Sequence, residues 1–108
     1  MASIKCRYLD GTSKICYTTD YVNDIKVNGV SIGLVTNYNV NSGDEVEFDV
    51  RYSSNTGSYG YNLFFGIKTL VSVEIGDEID YVGSQMCTNC TALETLKIGS
   101  AVRSIHTS

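Results

Sequence analysis

The chain has 108 residues, of which 43% are hydrophobic, and this length allows one compact domain or two very small ones. Its net charge is −4 and the sequence has no basic patch, which excludes an ordinary nucleic-acid-binding domain. No apolar run approaches the roughly 20 residues that a membrane-spanning helix requires, so no membrane insertion is expected. Eight Tyr, ten Gly and no Pro favour strands joined by tight turns.

The first residues, 1–11, do not have the apolar core of a signal peptide. The sequence therefore predicts a protein that does not use the general secretory route, or one from which a signal peptide has been removed. Four Cys in a short chain are typical of disulfides in a secreted protein, and of free thiols or metal ligands in a cytosolic one. Without a signal peptide, free thiols are the favoured interpretation.

Alternating apolar and polar residues predict an antiparallel β module over residues 1–52. The expected strands cover residues 3–9, 14–18, 24–27, 30–35 and 45–52, with a short one at Tyr38 and Val40. Asp10-Gly11 is a turn signal that would join the first two strands as a hairpin. Asn28-Gly29 predicts another hairpin, because both residues tolerate the positive φ that a two-residue turn requires.

The segment that follows, residues 53–60 (SSNTGSYG), is small and polar and contains Gly, which is typical of a linker. The sequence then becomes a repeat over residues 61–108. LVSVEIGDEIDYV at residues 70–82 matches LETLKIGSAVRSI at residues 93–105, with an offset of 23 throughout. A fixed period in the twenties is typical of a solenoid, whose units bury their apolar faces by stacking on one another.

The predicted repeat core consists of Leu70, Val73, Ile75, Ile79, Val82, Cys90, Leu93, Leu96, Ile98, Val102 and Ile105. Residues 61–70 align with residues 84–93 at the same offset and add a degenerate half-unit. Such arrays usually need about three units to be stable, so another structure is expected to cover the ends. The predicted fold class is mostly β: a small N-terminal antiparallel β module followed by about two repeat turns.

Residues 70–105 resemble the leucine-rich repeats of the BspA type, which are common in gut and oral Bacteroidetes. The family's unit reads approximately L-x-x-V-x-I-G/P-x-x-V-x-x-I-G-x-x-A-F-x-x-C-x-x-L. The matching positions are Leu70, Val73, Ile75, Gly76, Ile79, Val82, Gly83, Met86, Cys87, Cys90 and Leu93. Met86 replaces the family's small residue and Cys87 replaces its Phe, and both departures leave the register intact.

The resemblance implies a recognition or scaffolding module and not a catalyst. The family's repeats occur in cell-surface adhesins, and similar units occur in phages of these bacteria. Residues 25–52 also resemble the small β module that often precedes such repeats.

Cys87 and Cys90 form a CxxC pair, which occurs in redox motifs and in zinc sites. A redox motif needs a helix start after a strand, which the sequence does not predict here. A zinc site needs two more ligands, for which Cys6 and Cys16 are the candidates. We favour a structural role, in which Cys90 is a buried residue of the repeat and Cys87 occupies the Phe position. No metal or cofactor is therefore expected.

Cys6 and Cys16 have two interpretations that the sequence does not separate: a cross-strand disulfide in an oxidising compartment, or two thiols. His106, the only histidine, lies two residues from the end and is interpreted as a tail residue. Asp77, Glu78 and Asp80 match no calcium-loop pattern and are interpreted as a solvated face of the repeat. Because no catalytic constellation emerges, an enzyme is not expected.

Tyr52, Tyr59 and Tyr61 cluster around the predicted linker. If exposed, these tyrosines would form a contact patch for protein or carbohydrate. If buried, they would pack the two halves of the chain together. The sequence supports both interpretations equally.

Two classes of function remain. The first is a structural protein of a bacteriophage virion, such as a capsid decoration, head-fibre or tail protein, assembled in the host cytoplasm with copies of itself or with other subunits. The second is a binding or adhesion module of a Bacteroides-type cell-surface or secreted protein. The short repeat predicts an oligomer, because an unfinished solenoid leaves a strand edge and an apolar end to be paired.

Overall fold

The computed structural model describes residues 2–8, 13–14, 22–34, 38–41, 43–53, 58–59, 63–64, 69–82, 90–101 and 104–105. Every regular element in this part of the chain is a β-strand, which confirms the mostly-β prediction. The strands are β1 (Ser3–Tyr8), β2 (Ser13–Lys14), β3 (Val22–Val27), β4 (Val30–Ser31), β5 (Asn39–Val40), β6 (Val46–Val50), β7 (Tyr52–Ser53), β8 (Ser58–Tyr59), β9 (Leu70–Ile75), β10 (Tyr81–Val82), β11 (Thr95–Lys97) and β12 (Ser104–Ile105).

The larger sheet has six strands in the order β11-β9-β1-β6-β3-β4. β1 lies inside it and pairs antiparallel with β6 on one edge and with β9 on the other. Its alternating sequence explains this position, because Ile4, Cys6 and Tyr8 are buried on one face while Lys5 and Arg7 lie on the other. β1 therefore connects the strands of the first half of the chain to the repeat.

The Asn28-Gly29 hairpin is confirmed. Asn28 has a φ of 51° and Gly29 a φ of 86°, the left-handed values that a two-residue turn between antiparallel strands requires. The turn joins β3 to β4, although β4 contains only Val30–Ser31 and not the whole predicted strand over residues 30–35.

The other predicted hairpin is wrong at Lys14, the one described residue of its second strand. Lys14 lies in β2, which pairs with β5 and not with β1. The longer strands β6 and β9 pair with Ser3–Cys6 and with Ile4–Tyr8 on the two edges of β1 and leave little of either edge for β2. Residues 15–18 lie outside the described part of the chain.

The second sheet has four strands in the order β12-β10-β8-β7. β12 and β8 run parallel to β10, and β7 runs antiparallel to β8. In each of these two sheets, therefore, the parallel strands are bordered by an antiparallel strand from the earlier part of the chain. That strand is β1 in the larger sheet and β7 in the smaller one.

All parallel pairs share one register. β11 places Leu96 opposite Val73 of β9, and β12 places Ile105 opposite Val82 of β10. β8 places Tyr59 opposite the same Val82. The two partners of each pair lie 23 positions apart, which is the offset of the sequence repeat. The repeat is thus a stack of layers with one layer for every 23 residues.

The sheets continue across the boundaries that the sequence suggests. β1, from the predicted module over residues 1–52, pairs with β9 from the segment over residues 61–108. Strand residues also lie at both ends of the predicted linker over residues 53–60, in β7 and β8. Pairing across the boundary gives each half of the chain a partner for an edge that would otherwise be open.

A third sheet contains only β2 and β5, and buried residues of all three sheets belong to one hydrophobic cluster. The rings of Phe48 and Phe64 pack edge to face inside it, with their centroids 5.5 Å apart. The buried side chains are Ile4, Cys6, Tyr8, Val22, Ile25, Val27, Val40, Val46, Phe48, Val50, Leu63, Phe64, Leu70, Val73, Ile75, Ile79 and Val82.

Candidate interface at the open end of the repeat

The stack of layers is covered at one end and open at the other. β9 and β10 form the first repeat layer, and β1 and β8 lie against them on the covered side. β11 and β12 form the second layer, and each is the last strand of its sheet among the residues that the structure describes. We call this last layer, residues 93–101 and 104–105, the open end.

Exposure differs sharply between the two layers. Val73 and Ile75 of the first layer are 1% and 3% exposed. Leu96 and Ile98, their equivalents 23 positions later, are each 48% exposed. The open end therefore presents two large aliphatic side chains together with a strand edge.

A column of glycines determines how closely the layers approach. The backbone N–H of Gly76 donates to the carbonyl oxygen of Ser3, and a Cβ on Gly76 would lie 2.5 Å from that oxygen. A Cβ on Gly99 would lie 2.6 Å from the carbonyl oxygen of Gly76. Neither glycine has positive φ, so glycine is required here by the close approach of the neighbouring backbone.

Next to the glycine column, a side chain of the first layer binds the second. The backbone N–H of Ser100 donates to Oδ1 of Asp77 at 3.0 Å, and the Ser100 hydroxyl donates to the same oxygen at 3.3 Å. Asp77 and Glu78 are exposed and Asp80 is half-buried. Asp77 thus has a structural role in holding the layers together.

The predicted repeat core is divided by position in the stack. The first-layer residues Leu70, Val73, Ile75, Ile79 and Val82 are buried. Cys90 and Leu93 are partly buried and pack against the core. Leu96 and Ile98 depart from the prediction because β11 is the last strand of its sheet among the described residues, which leaves both side chains half exposed. Val102 lies outside the described residues, as does the side chain of Ile105.

Cys90 packs beside the core, and its thiol donates to the carbonyl oxygen of Phe64 at 3.0 Å. Cys87 and Cys16 lie outside the described residues, so the structural role of the CxxC pair and the disulfide of Cys6 with Cys16 stay predictions. Cys6 itself is buried in β1. No group of three or more potential metal ligands occurs among the described residues.

The tyrosine patch is only partly described. Tyr52 of β7 lies opposite Tyr59 of β8, and their rings meet edge to face with centroids 5.3 Å apart. Tyr59 packs against the core, whereas Tyr52 is 49% exposed. Tyr61 and His106 lie outside the described residues. Tyr59 thus packs between the halves of the chain, and Tyr52 is available for contact.

A shallow polar groove of ≈ 230 Å³ crosses the solvent face of β1, β9 and β11. Lys5 and Arg7 of β1 form ion pairs with Glu45, at 3.8 Å and 3.5 Å. Arg7 also donates to the carbonyl oxygen of Gly43 at 2.7 Å. The rest of the lining is Ser72, Val73, Glu74, Thr95 and Lys97. The groove therefore contains positively and negatively charged groups as well as hydroxyl groups.

The charge on this face changes from one side of the sheet to the other. On β3 and β6 the three carboxylates Asp24, Glu47 and Asp49 outnumber the one cation, Lys26. Burial is the main cause that raises the pKa of the Asp49 carboxyl; the positive N-terminus and Lys26 lower it, and Asp24 and Glu47 raise it. At the open end, by contrast, Glu94 and Lys97 carry opposite charges. The β3–β6 side is therefore acidic, whereas the open end is close to neutral.

Asp44 lies outside this group of acidic residues, and the pKa of its carboxyl is lowered and not raised. The backbone N–H of Asn41 and the side-chain amide of Asn28 donate to Asp44 at 3.0 Å and 3.1 Å. These two hydrogen bonds, the first being the stronger cause, lower the pKa of the Asp44 carboxyl. Asp44 thereby connects the turn before β6 to the Asn28-Gly29 turn, away from the open end.

Comparison with known protein families, with curated proteins and with solved structures gives no match. Within the described ranges, no helix is long and apolar enough to cross a membrane. The resemblance to BspA-type repeats consequently stays a prediction from the sequence. Exposed apolar side chains lie at both edges of the larger sheet, Val30 at the β4 edge and Leu96 at the open end.

Proposed function

We propose that this chain is a non-enzymatic structural assembly protein that docks on neighbouring chains through the edges of its β-sheets. The observation that carries the proposal is the exposure of Leu96 and Ile98 beside the edge strand β11. Exposed apolar residues next to an open strand edge favour pairing with another chain. A protein that worked alone would need to protect this edge.

The setting that we propose is a bacteriophage virion, in which the chain is a capsid decoration, head-fibre or tail protein. The resemblance of residues 70–105 to units found in phages supports this setting. Such proteins assemble in the host cytoplasm.

Fractionation of the source culture tests the proposal. Virions are purified from the lysate on a density gradient, and the chain is quantified by mass spectrometry in the virion, envelope and supernatant fractions. We expect the chain to sediment with the virions in many copies per particle. Recovery in the envelope or supernatant fraction, with none in the virions, would contradict the virion proposal.

A second candidate is a binding or adhesion module of a cell-surface or secreted protein. The exposed ring of Tyr52 and the polar groove across β1, β9 and β11 favour it, because carbohydrate sites combine aromatic faces with paired donors and acceptors. A glycan array probed with wild type and with a Tyr52→Ala variant tests this candidate. Sugar binding that is lost in the variant would support it.

A further inference from the structure

We propose that the open end pairs with the open end of a second copy of this chain about a two-fold axis. In this dimer β11 pairs antiparallel with β11 of the other copy, and β12 pairs with its own equivalent. The inference rests on the proposed assembly function and names the first partner in that assembly.

The two ends of the stack differ in shape, and this difference selects the partner surface. At the open end both sheets finish on strands of the same repeat layer, β11 and β12. On the side of the first layer that faces away from the open end, the larger sheet has four more strands and the smaller sheet has two more. Because paired strands lie about 4.8 Å apart, the two additional strands make the larger sheet extend about 10 Å further than the smaller one. We call this far end the stepped end.

At the open end the edges of the two sheets are level. Both edges can pair at once only with a surface whose two strand edges are also level. The stepped end offers one edge, β4, that stands well beyond the other, β7. The open end of a second copy, however, has the same two edges at the same separation. A two-fold contact of this kind is isologous, and two-fold dimers are the commonest symmetric assemblies.

The new contact continues an interface that already exists inside the chain. Within one copy, Leu96 lies over Val73 at the layer spacing of paired strands. In the dimer, the second copy's β11 adds a further layer on the exposed side of Leu96 and Ile98. Both aliphatic side chains then become as buried as their first-layer equivalents.

Charge permits two open ends to meet. Glu94 and Lys97 have opposite signs, so the contact brings no net repulsion. The β4 edge has a similar balance, because Ser31 donates to Asp24 and lies opposite Lys26, so it is the shape of the two ends that selects the partner surface.

Two matched variants test the proposal by sedimentation equilibrium of the purified chain. Leu96→Asp places a charge on the open end, and Val30→Asp places the same charge on the β4 edge, where Val30 is 66% exposed. We expect wild type and Val30→Asp to form dimers and no larger species. Leu96→Asp should weaken dimerisation by about 30-fold or more, as for a central apolar contact. Circular dichroism confirms that each variant is folded.

Disulfide crosslinking identifies the symmetry independently of folding losses. We place the two-fold axis at the centre of β11, where residue 96 faces residue 96 of the other copy, so Leu96→Cys should form a covalent dimer on mild oxidation. Val30→Cys and wild type, treated in the same way, should show only the baseline. Oligomers whose size increases with concentration and that Val30→Asp dissociates would overturn the proposal in favour of head-to-tail assembly.

A monomer at every concentration would also overturn it. This failure is distinguishable from failure of the proposed function. A monomer that nevertheless sediments with virions leaves the assembly role intact and rules out self-pairing. A dimer that is absent from virions supports the pairing and contradicts the virion role.

Discussion

The two repeat layers have the same sequence pattern and very different exposures. Ile75 is 3% exposed, whereas Ile98, the same residue type 23 positions later, is 48% exposed. The backbone register of the two layers is identical, so the pattern itself does not cause the difference. β9 lies between two strands, whereas β11 has β9 on one side and the open end on the other. Burial in this fold is set by a residue's place in the stack.

The strongest test of this comparison substitutes the same residue type in each layer. Ile75→Ala should lower the free energy of unfolding by about 2–5 kcal/mol, because it leaves a cavity in a closed core. Ile98→Ala should cost about 1 kcal/mol or less, since its side chain is half in solvent already. Urea denaturation of both variants, at a concentration where the chain is monomeric, measures the difference.

The variants serve as controls for each other, because the side-chain change and the position in the 23-residue repeat are the same. Equal losses of stability would break the comparison, since the second layer would then have to be as tightly packed as the first. The same experiment at high concentration sharpens it: if the open end is buried in the dimer, the cost of Ile98→Ala should rise towards that of Ile75→Ala.

The glycine column gives the next largest effect. In Gly76→Ala the new Cβ would meet the Ser3 oxygen, and β1 cannot retreat because it is also paired with β6. We expect a loss of about 3 kcal/mol in the free energy of unfolding, as for overpacking in a closed site. In Gly99→Ala the clash is with Gly76, but β11 can move towards solvent. A loss of about 1 kcal/mol is expected.

Thermal and urea unfolding of these two variants measure both values. If Gly99→Ala were the more damaging, β11 would have to be held in place on its outer side. Such a result in a monomer would mean that the end of the stack is not open. Thr95→Ala, a change at an exposed position of β11, controls for a general weakening of that strand.

Much of the fold could be predicted from local sequence signals. The Asn28-Gly29 turn was predictable because its two residues alone determine the backbone conformation. The layer register was predictable because residues 70–82 and 93–105 align at one offset, and parallel stacking preserves that offset. Both features depend on residues that are close in sequence or are related by the repeat.

The partners of β1 could not be predicted in this way. Alternation indicates that residues 3–9 form a strand but carries no information on which strand lies beside it. The nearest candidate was the hairpin partner after Asp10-Gly11, whereas the structure pairs β1 with β6 and β9. Pairing between distant strands depends on the shape of the whole core, which a local pattern does not contain.

Tyr59 is a residue whose place a longer alignment would have found. Its small, polar neighbours indicate a linker, yet it lies opposite Val82 at the 23-residue offset. Extending the repeat by one unit towards the first half of the chain predicts this pairing. The half-exposed state of Leu96 and Ile98 has no such signal, because it arises from the place of β11 at the edge of its sheet in the described part of the chain.

The smallest predicted effect concerns the hydrogen bonds that join the two layers outside the core. Ser100 donates to Asp77 through its backbone N–H and its hydroxyl, and both groups are exposed. Asp77→Ala removes both bonds, whereas Ser100→Ala removes only the one from the hydroxyl. We expect losses of about 1 kcal/mol and about 0.5 kcal/mol in the free energy of unfolding, since water competes for exposed partners.

A double-mutant cycle isolates this contact from other effects of the two substitutions. The coupling energy should be about 0.5 kcal/mol, because the cycle reports only the hydroxyl bond: Asp77→Ala removes the backbone N–H bond in both backgrounds. A coupling of zero would mean that the hydroxyl bond contributes nothing and that the loss in Asp77→Ala comes from the backbone N–H bond alone. A coupling above about 2 kcal/mol would mean that Asp77 fixes the position of β11, in which case the second layer is ordered by the first through a side chain and not only through strand pairing.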